Sequence, residues 1–315
     1  MTASEAIRST VADVDLDAIA SNVEAIHTRS KAEVIAVVKA DAYGHGAEAV
    51  AETCFEAGAV MVAVATIEEG LALREGGVNG PILVLLGSTE SSEVAHAVAQ
   101  ELVLVVWDVE RARAISEAAG ALRRITRVHF KVDTGLTRLG APTNEAAARY
   151  RSIASLPHLE IEGIFTHFAT ADDPDPSNDR AQLGRFRDVL TSIPDRPRLV
   201  HAAASAGVAA FGPVEGMNAV RTGLAIYGLH AARTSQGRCR SVPPSRGGRA
   251  CIASRAFPLA RGCRTATSTG FPAMAGSQRC RSGTAMDCPA WRGNAAPSCF
   301  AVNGCRSRAA SAWIW

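Results

Sequence analysis

Eight short apolar runs, rich in β-branched residues, recur along the first 230 residues, and their regular return limits the possible folds more than any other feature. They fall at 34–39, 60–65, 81–87, 102–107, 127–132, 159–166, 198–203 and 219–227. The stretches between them carry apolar residues at helical spacing; the opening one sets Leu16, Ile19, Val23 and Ile26 on one face. Strands separated by helices return to a sheet in the same direction, which makes the pairing parallel. Eight is the number that closes such a sheet into a (β/α)8 barrel, so an α/β fold of that class is expected over residues 1–230. A doubly wound open sheet is the competing architecture. The lack of a GxGxxG after the first run weakens its dinucleotide-binding form.

A barrel places chemistry at the carboxyl ends of its strands and holds phosphate after strands seven and eight. In this sequence Lys39 ends run one, in "VIAVVKADAYGHG", and His167 ends run six, in "GIFTHFATAD". Ser205 follows run seven in "LVHAAASAG", and Arg221 lies in run eight in "VRTGLAIYG". Lysine is scarce here, three against thirty arginines. Only lysine of the two sheds its proton near neutrality when its site disfavours charge, so Lys39 suits Schiff-base chemistry. The competing reading is a snorkelling surface lysine. The hydroxyl and amides of "HAAASAG" and the glycine amides of "RTGLAIYG" suit an anion. A Schiff-base lysine facing a phosphate cup is what pyridoxal 5′-phosphate requires.

"AVVKADAYGHGA", "FKVDTGLTRLG", "THFATAD", "HAAASAG" and "VRTGLAIYG" resemble, in order and spacing, the motifs of alanine racemases over about residues 5–230. That resemblance implies interconversion of L- and D-alanine by a two-base mechanism on pyridoxal 5′-phosphate, for cell-wall precursor synthesis. Position by position, Lys39 resembles the cofactor lysine and the base on one face of the substrate. Tyr43, Ser205 and the amides of Gly223 and Leu224 resemble phosphate ligands. Arg221 resembles the arginine facing the pyridine nitrogen, and Arg138 the one that holds the substrate carboxylate. Lys131 matches a position carbamylated in some members, and His167 the histidine that orients the second base. Ala204 stands where the family usually has asparagine. An arginine at the pyridine nitrogen leaves it unprotonated and limits delocalisation of the carbanion, which suits racemisation. It speaks against a related amino-acid decarboxylase, where an acid is usual. A non-enzymatic single-domain pyridoxal-phosphate-binding barrel is the alternative. His45 reads as a local turn contact, Cys54 as a buried apolar residue, and "ADDPDPSND" as a helix-capping loop with no metal.

Beyond residue 230 the text changes. Residues 1–230 hold 20 Lys+Arg against 30 Asp+Glu, a balance of −10; residues 231–315 hold 13 arginines and one acid, Asp287, a balance of +12. Seven of eight cysteines and no histidine or tyrosine lie in this tail. It lacks a sustained period and reads as a disordered segment, not a domain. With no CxxC pair, a zinc module is not expected. In alanine racemases a β-rich C-terminal domain supplies the second base, a tyrosine in "SYG", across a dimer interface. Starting each codon one nucleotide earlier permits "VSYGHLYRVPRDGRIATVPVGYGDGLP" from residues 263–289 and "APVLLRGERLPVAGRVCMDL" from residues 296–315. The tail is therefore expected to be out of frame, leaving the chain truncated, without its second base and inactive or impaired, and the family's homodimer is in doubt for it. The net charge of +2 suggests no nucleic-acid partner. No apolar run reaches the roughly 18 residues of a membrane helix, and the first residues lack a signal-peptide core. A cytoplasmic location is expected.

Overall fold

The computed structural model describes residues 10–87, 90–229, 249–251 and 263–267. All eight runs are strands: β1 (Glu33–Val37), β2 (Met61–Val64), β3 (Ile82–Val84), β4 (Val103–Val106), β5 (Thr126–Asp133), β6 (Leu159–Phe165), β7 (Leu199–His201) and β8 (Ala219–Thr222). Each pairs in parallel with the next, and β8 returns to β1 through Ala219–Glu33 to Thr222–Ala36. The sheet is a closed barrel, and the open-sheet alternative is excluded.

The strands are shorter than the runs. β1 ends at Val37, two residues before Lys39; β6 ends at Phe165, two before His167. The last run stops being a strand at Thr222, and Leu224–Tyr227 form a 3-10 turn. A two-residue strand, Ala141–Pro142, adds to the end of β5.

Alternation along the strands separates two cores. One, containing Ile35, Val37, Met61, Ala63, Leu83, Val103, Val105 and Phe165, draws on strands around the ring and fills the barrel. The other joins the opposite strand faces, such as Val34, Val62, Ile82, Leu104 and Phe130, to the helices. Helix Leu16–Ser30 buries Ile19, Val23 and Ile26 there, and Asp15 caps it by accepting from the Ala18 amide at 3.0 Å. No helix among the described residues is long and apolar enough to cross a membrane.

Thr10–Val14, Cys263–Thr267 and Arg249–Cys251 make a separate three-stranded sheet, in that order. The rest of the expected disordered tail lies outside the described residues.

Candidate active site

Lys39 opens a backbone feature the sequence does not announce. Ala40, Asp41, Ala42 and Tyr43 all sit in the left-handed helical region, with φ of 51° to 54°. Each such residue costs roughly 1–2 kcal/mol, so one full turn persists only where its surroundings impose it. Glu69 supplies part of that: Oε1 accepts from the Ala40 amide at 2.8 Å and Oε2 from the Ala65 amide at 2.7 Å. Asp41 Oδ1 accepts from the Ala47 amide at 2.8 Å, and Gly44 and Gly46, both at positive φ, carry the chain into the next helix. The turn sets Lys39 Nζ 5.9 Å from the Tyr43 ring. Burial, then the Arg138 guanidinium, hold the Lys39 ammonium below the usual lysine range, with Glu69 opposing.

Ser205 begins helix Ser205–Phe211 after β7, and its Oγ accepts from two amides, Gly223 at 3.2 Å and Ala225 at 3.1 Å. Two N–H groups donating to one hydroxyl oxygen leave its O–H to donate to an anion, a small cradle at the mouth of a turn. A Cβ at Gly223 would stand 2.6 Å from the Tyr43 hydroxyl, so glycine is what lets that hydroxyl approach. Burial raises the Tyr43 pKa, keeping the hydroxyl a donor. The Gly223 amide, expected as a phosphate ligand, is here engaged by Ser205; Leu224 begins the same turn.

Arg221, on β8, is 4% exposed and makes three hydrogen bonds. Nη2 donates to the Thr166 carbonyl at 2.9 Å and to His167 Nδ1 at 3.0 Å, while Nη1 donates to His201 Nδ1 at 2.6 Å. Its guanidinium carbon lies 4.6 Å from the Phe165 ring centre, and Phe165 stacks on His201 at 4.8 Å. Burial and Arg138 bring its pKa down to about 9, still charged at neutral pH. Burial and the same cations take His167 down to about 3, so His167 is neutral and, with Nδ1 accepting, carries its proton on Nε2.

Lys131, on β5, is 5% exposed, with Nζ 5.6 Å from the Phe165 ring. Burial, Arg221 and Arg138 lower its pKa to about 7. Arg138 itself is exposed in the loop after β5. Arg138 lowers the pKa of Lys39, Lys131 and Arg221, and Arg221 lowers that of Lys131, so positive charge crowds one end of the barrel, the electrostatics of a site for an anionic ligand. Oxygen cradle, amine of lowered pKa and donor-only guanidinium together fit a phosphate-bearing pyridine aldehyde.

The bland readings also have positions. His45 Nδ1 lies 3.0 Å from the Ala42 carbonyl oxygen, and its ring lies 4.7 Å from that of Tyr227. Cys54 is fully buried, its thiol pushed up to about 12 by burial. In the acidic loop, Asp175 accepts from the Ser177 amide at 3.0 Å, where helix Ser177–Ser192 begins. Sequence reasoning missed His201, His129 and Phe165, which line the barrel behind the site; their shared strand parity with Lys131 and Arg221 was the available signal.

The family "Alanine racemase, N-terminal domain" matches residues 14–231. An alanine racemase of Symbiobacterium thermophilum is 41% identical over 232 residues, 72% of this chain and 61% of its own. That of Geobacillus stearothermophilus is 43% identical over 227 residues, 70% and 57% respectively. Among solved structures, alanine racemase of Clostridium difficile 630 in complex with cycloserine is 31% identical, with TM-score 0.68 over 72% of this chain and 64% of that one. The chain spans about 60% of the length of the curated relatives it matches.

Proposed function

Because the chain belongs to the alanine racemase family, we propose that residues 14–231 carry one half of the active site of a pyridoxal 5′-phosphate-dependent alanine racemase, serving cell-wall precursor synthesis in the cytoplasm. The observation that carries the reading is the meeting of Lys39, the Ser205 cradle and Arg221 at one end of the barrel. Pyridoxal 5′-phosphate, when bound, supplies the electron sink that acidifies the amino acid's Cα–H bond. Ser205, Tyr43 and the amide of Leu224 would hold its phosphate, with the Gly223 amide exchanging its bond to Ser205 for a phosphate oxygen. Arg221, a donor with no proton to lose at neutral pH, would face the ring nitrogen and keep it unprotonated.

Lys39 would hold the cofactor and move the proton on one face of Cα; its lowered pKa makes the neutral amine accessible. Arg138 offers an exposed guanidinium to the substrate carboxylate. Neutral His167, with its proton on Nε2, would be the residue that orients the second base. Lys131, near half-neutral at pH 7, is open to carbamylation by carbon dioxide, and the resulting anion would steady Arg138.

The second base is the missing element. The family match ends at residue 231, where the charge balance reverses, and residues 231–315 contain no tyrosine. Both facts support a reading-frame shift at this boundary, and a chain that exchanges the α-proton on one face without racemising. The test has two arms. Borohydride reduction after adding pyridoxal 5′-phosphate should fix the cofactor on the Lys39 peptide, read by mass spectrometry. In deuterated water one alanine enantiomer should gain deuterium with its configuration retained. Label on another lysine, or none, overturns the site; rapid conversion to the opposite enantiomer overturns the missing second base.

A further inference from the structure

Helix Ser177–Ser192 buries a stripe of Asp179, Gln182, Phe186 and Val189. The last two are apolar and pack in the outer core. The first two are polar and sit at the end nearest the loop that carries His167. Asp179 Oδ1 accepts from the Thr170 amide at 3.2 Å and its hydroxyl at 3.1 Å. Gln182 is fully buried and uses both sides of its amide. Oε1 accepts from the Ala169 amide at 2.8 Å, while Nε2 donates to the His167 carbonyl at 3.1 Å and the Thr134 hydroxyl at 3.2 Å. One partner is an N–H and another a carbonyl, which fixes which way the amide points.

These partners belong to two loops. His167 and Ala169 follow β6, whereas Thr134 follows β5 and opens the turn that leads to Arg138. That turn is fastened along its length. Asp133 Oδ1 accepts from the Gly135 amide at 2.9 Å and the Thr137 amide at 3.0 Å, one residue short of Arg138. Gly135, at φ 136°, lies against the glutamine: a Cβ there would stand 3.5 Å from Gln182 Cγ. Arg185, three residues on, donates from Nε to the Thr134 carbonyl at 2.7 Å, but it is an exposed side chain. Inside the protein the Thr134 side chain is held by Gln182 and by the Thr166 hydroxyl at 2.7 Å.

We propose that Gln182 is a positioning residue for Arg138: it clasps the Thr134–Arg138 turn to the His167 loop and so fixes where a substrate carboxylate is met. A buried amide that served only its own loop would need His167 and Ala169 alone. Its second N–H, given to a side chain of the neighbouring loop, ties two strand ends together. Without the clasp the turn depends more on Asp133, and its amides open more often.

The inference rests on the reading of Arg138 as the residue that meets the substrate carboxylate, but its first test needs neither cofactor nor substrate. Residue-resolved hydrogen exchange compares the full chain with Gln182→Met, which keeps the length without the polar atoms. Ala169 must exchange faster in any case, because its acceptor is gone. Gly135 and Thr137 keep theirs, yet their exchange should rise about tenfold, the scale of one hydrogen bond. No rise at these two amides overturns the clasp. A rise matched by the amides of β2 and β3 reflects lost global stability, makes Gln182 a packing residue and sinks the idea. If Gln182→Met does not fold, Thr134→Val decides, since it removes the hydroxyl and leaves Gln182 on His167 and Ala169. Gly135 and Thr137 should then speed up while Ala169 stays protected, and any other pattern refutes.

The carboxylate gives a second readout. Ethylamine is alanine without its carboxylate. The ratio of their affinities for the chain loaded with pyridoxal 5′-phosphate, titrated by visible absorbance, therefore isolates that contact. Gln182→Met should lower the preference for alanine about tenfold and leave ethylamine unchanged. Arg138→Met separates the two readings. If it removes the preference and Gln182→Met does not, the clasp fails; if the preference survives Arg138→Met, the reading of Arg138 falls and the proposal with it.

Discussion

Lys131→Met should stabilise the barrel at neutral and lower pH, and the gain should fade as pH rises. Burial and two guanidinium groups lower the Lys131 pKa from 10.5 to about 7. At about 1.4 kcal/mol per pH unit, protonating this amine in the fold is roughly 5 kcal/mol harder than in the unfolded chain. The sign follows from which state binds more protons. Between pH 7 and 10.5 the unfolded chain holds the proton and the fold does not, so stability on this account rises with pH across that window. Below about 7 the full penalty is present; above 10.5 it is gone. Methionine keeps the length beside Phe165 without the charge. Urea unfolding in carbonate-free buffer at several pH values measures the difference between the two chains. The advantage of Lys131→Met should shrink by about 1.4 kcal/mol per pH unit above neutrality. Added bicarbonate at alkaline pH should stabilise only the parent, with a carbamate resonance from carbon-13 bicarbonate. A difference independent of pH would refute the reasoning, because the burial of a charge would not then be what distinguishes the chains.

Three further perturbations probe the cradle and the turn. Ser205→Ala removes the acceptor of the Gly223 and Ala225 amides, which should cost about 1–3 kcal/mol in unfolding experiments and weaken pyridoxal 5′-phosphate at least tenfold. Gly223→Ala drives a methyl against the Tyr43 hydroxyl, so cofactor retention should fall while far-ultraviolet circular dichroism keeps the barrel signature. Ala40→Gly relieves a left-handed residue while keeping its amide on Glu69, and thermal unfolding should show a net gain of about 0.5–1 kcal/mol. Loss of stability there would mean that the turn is not strained.

The strands were legible because a parallel sheet covered on both faces is written as continuous apolar runs. Their ends were not, since burial continues past the hydrogen-bonded ladder. Val38 is buried after β1 ends, and Ile226 and Tyr227 are buried in a 3-10 turn that a hydropathy reading takes for strand. Tyr227 even returns to β1, donating to the Val37 carbonyl at 3.0 Å. Lys39, Ser205 and Arg221 stood out because their types are chemically specific beside strand ends. The left-handed turn after Lys39 left no trace in composition, because Ala40, Asp41, Ala42 and Tyr43 are not glycine and only their neighbours force the conformation. Glu162 was equally hidden: it is the extra residue of a bulge between β5 and β6, and a bulge is a relation between two strands with no signature in either alone.

The division of the barrel interior explains why so many polar groups can be buried without unfolding it. β1 to β4 contribute Ile35, Val37, Met61, Ala63, Leu83, Val103 and Val105 to the inner core. β5 to β8 contribute His129, Lys131, His201 and Arg221, each nearly inaccessible. A buried polar group is costly when unpaired and nearly neutral when paired, so the polar half stands only if its donors and acceptors match throughout. Arg221 donates from both ends of its guanidinium, and the acceptors it meets are two histidine Nδ1 atoms and one carbonyl. Glu162, whose Oε2 stands 3.8 Å from His129 Nε2, is held by Arg127 and Arg198, with its pKa brought to about 2 despite burial. Charge enters the barrel at one end as a guanidinium and is answered at the other by Glu162. The apolar half supplies the packing, and the polar half fixes the position of Arg221.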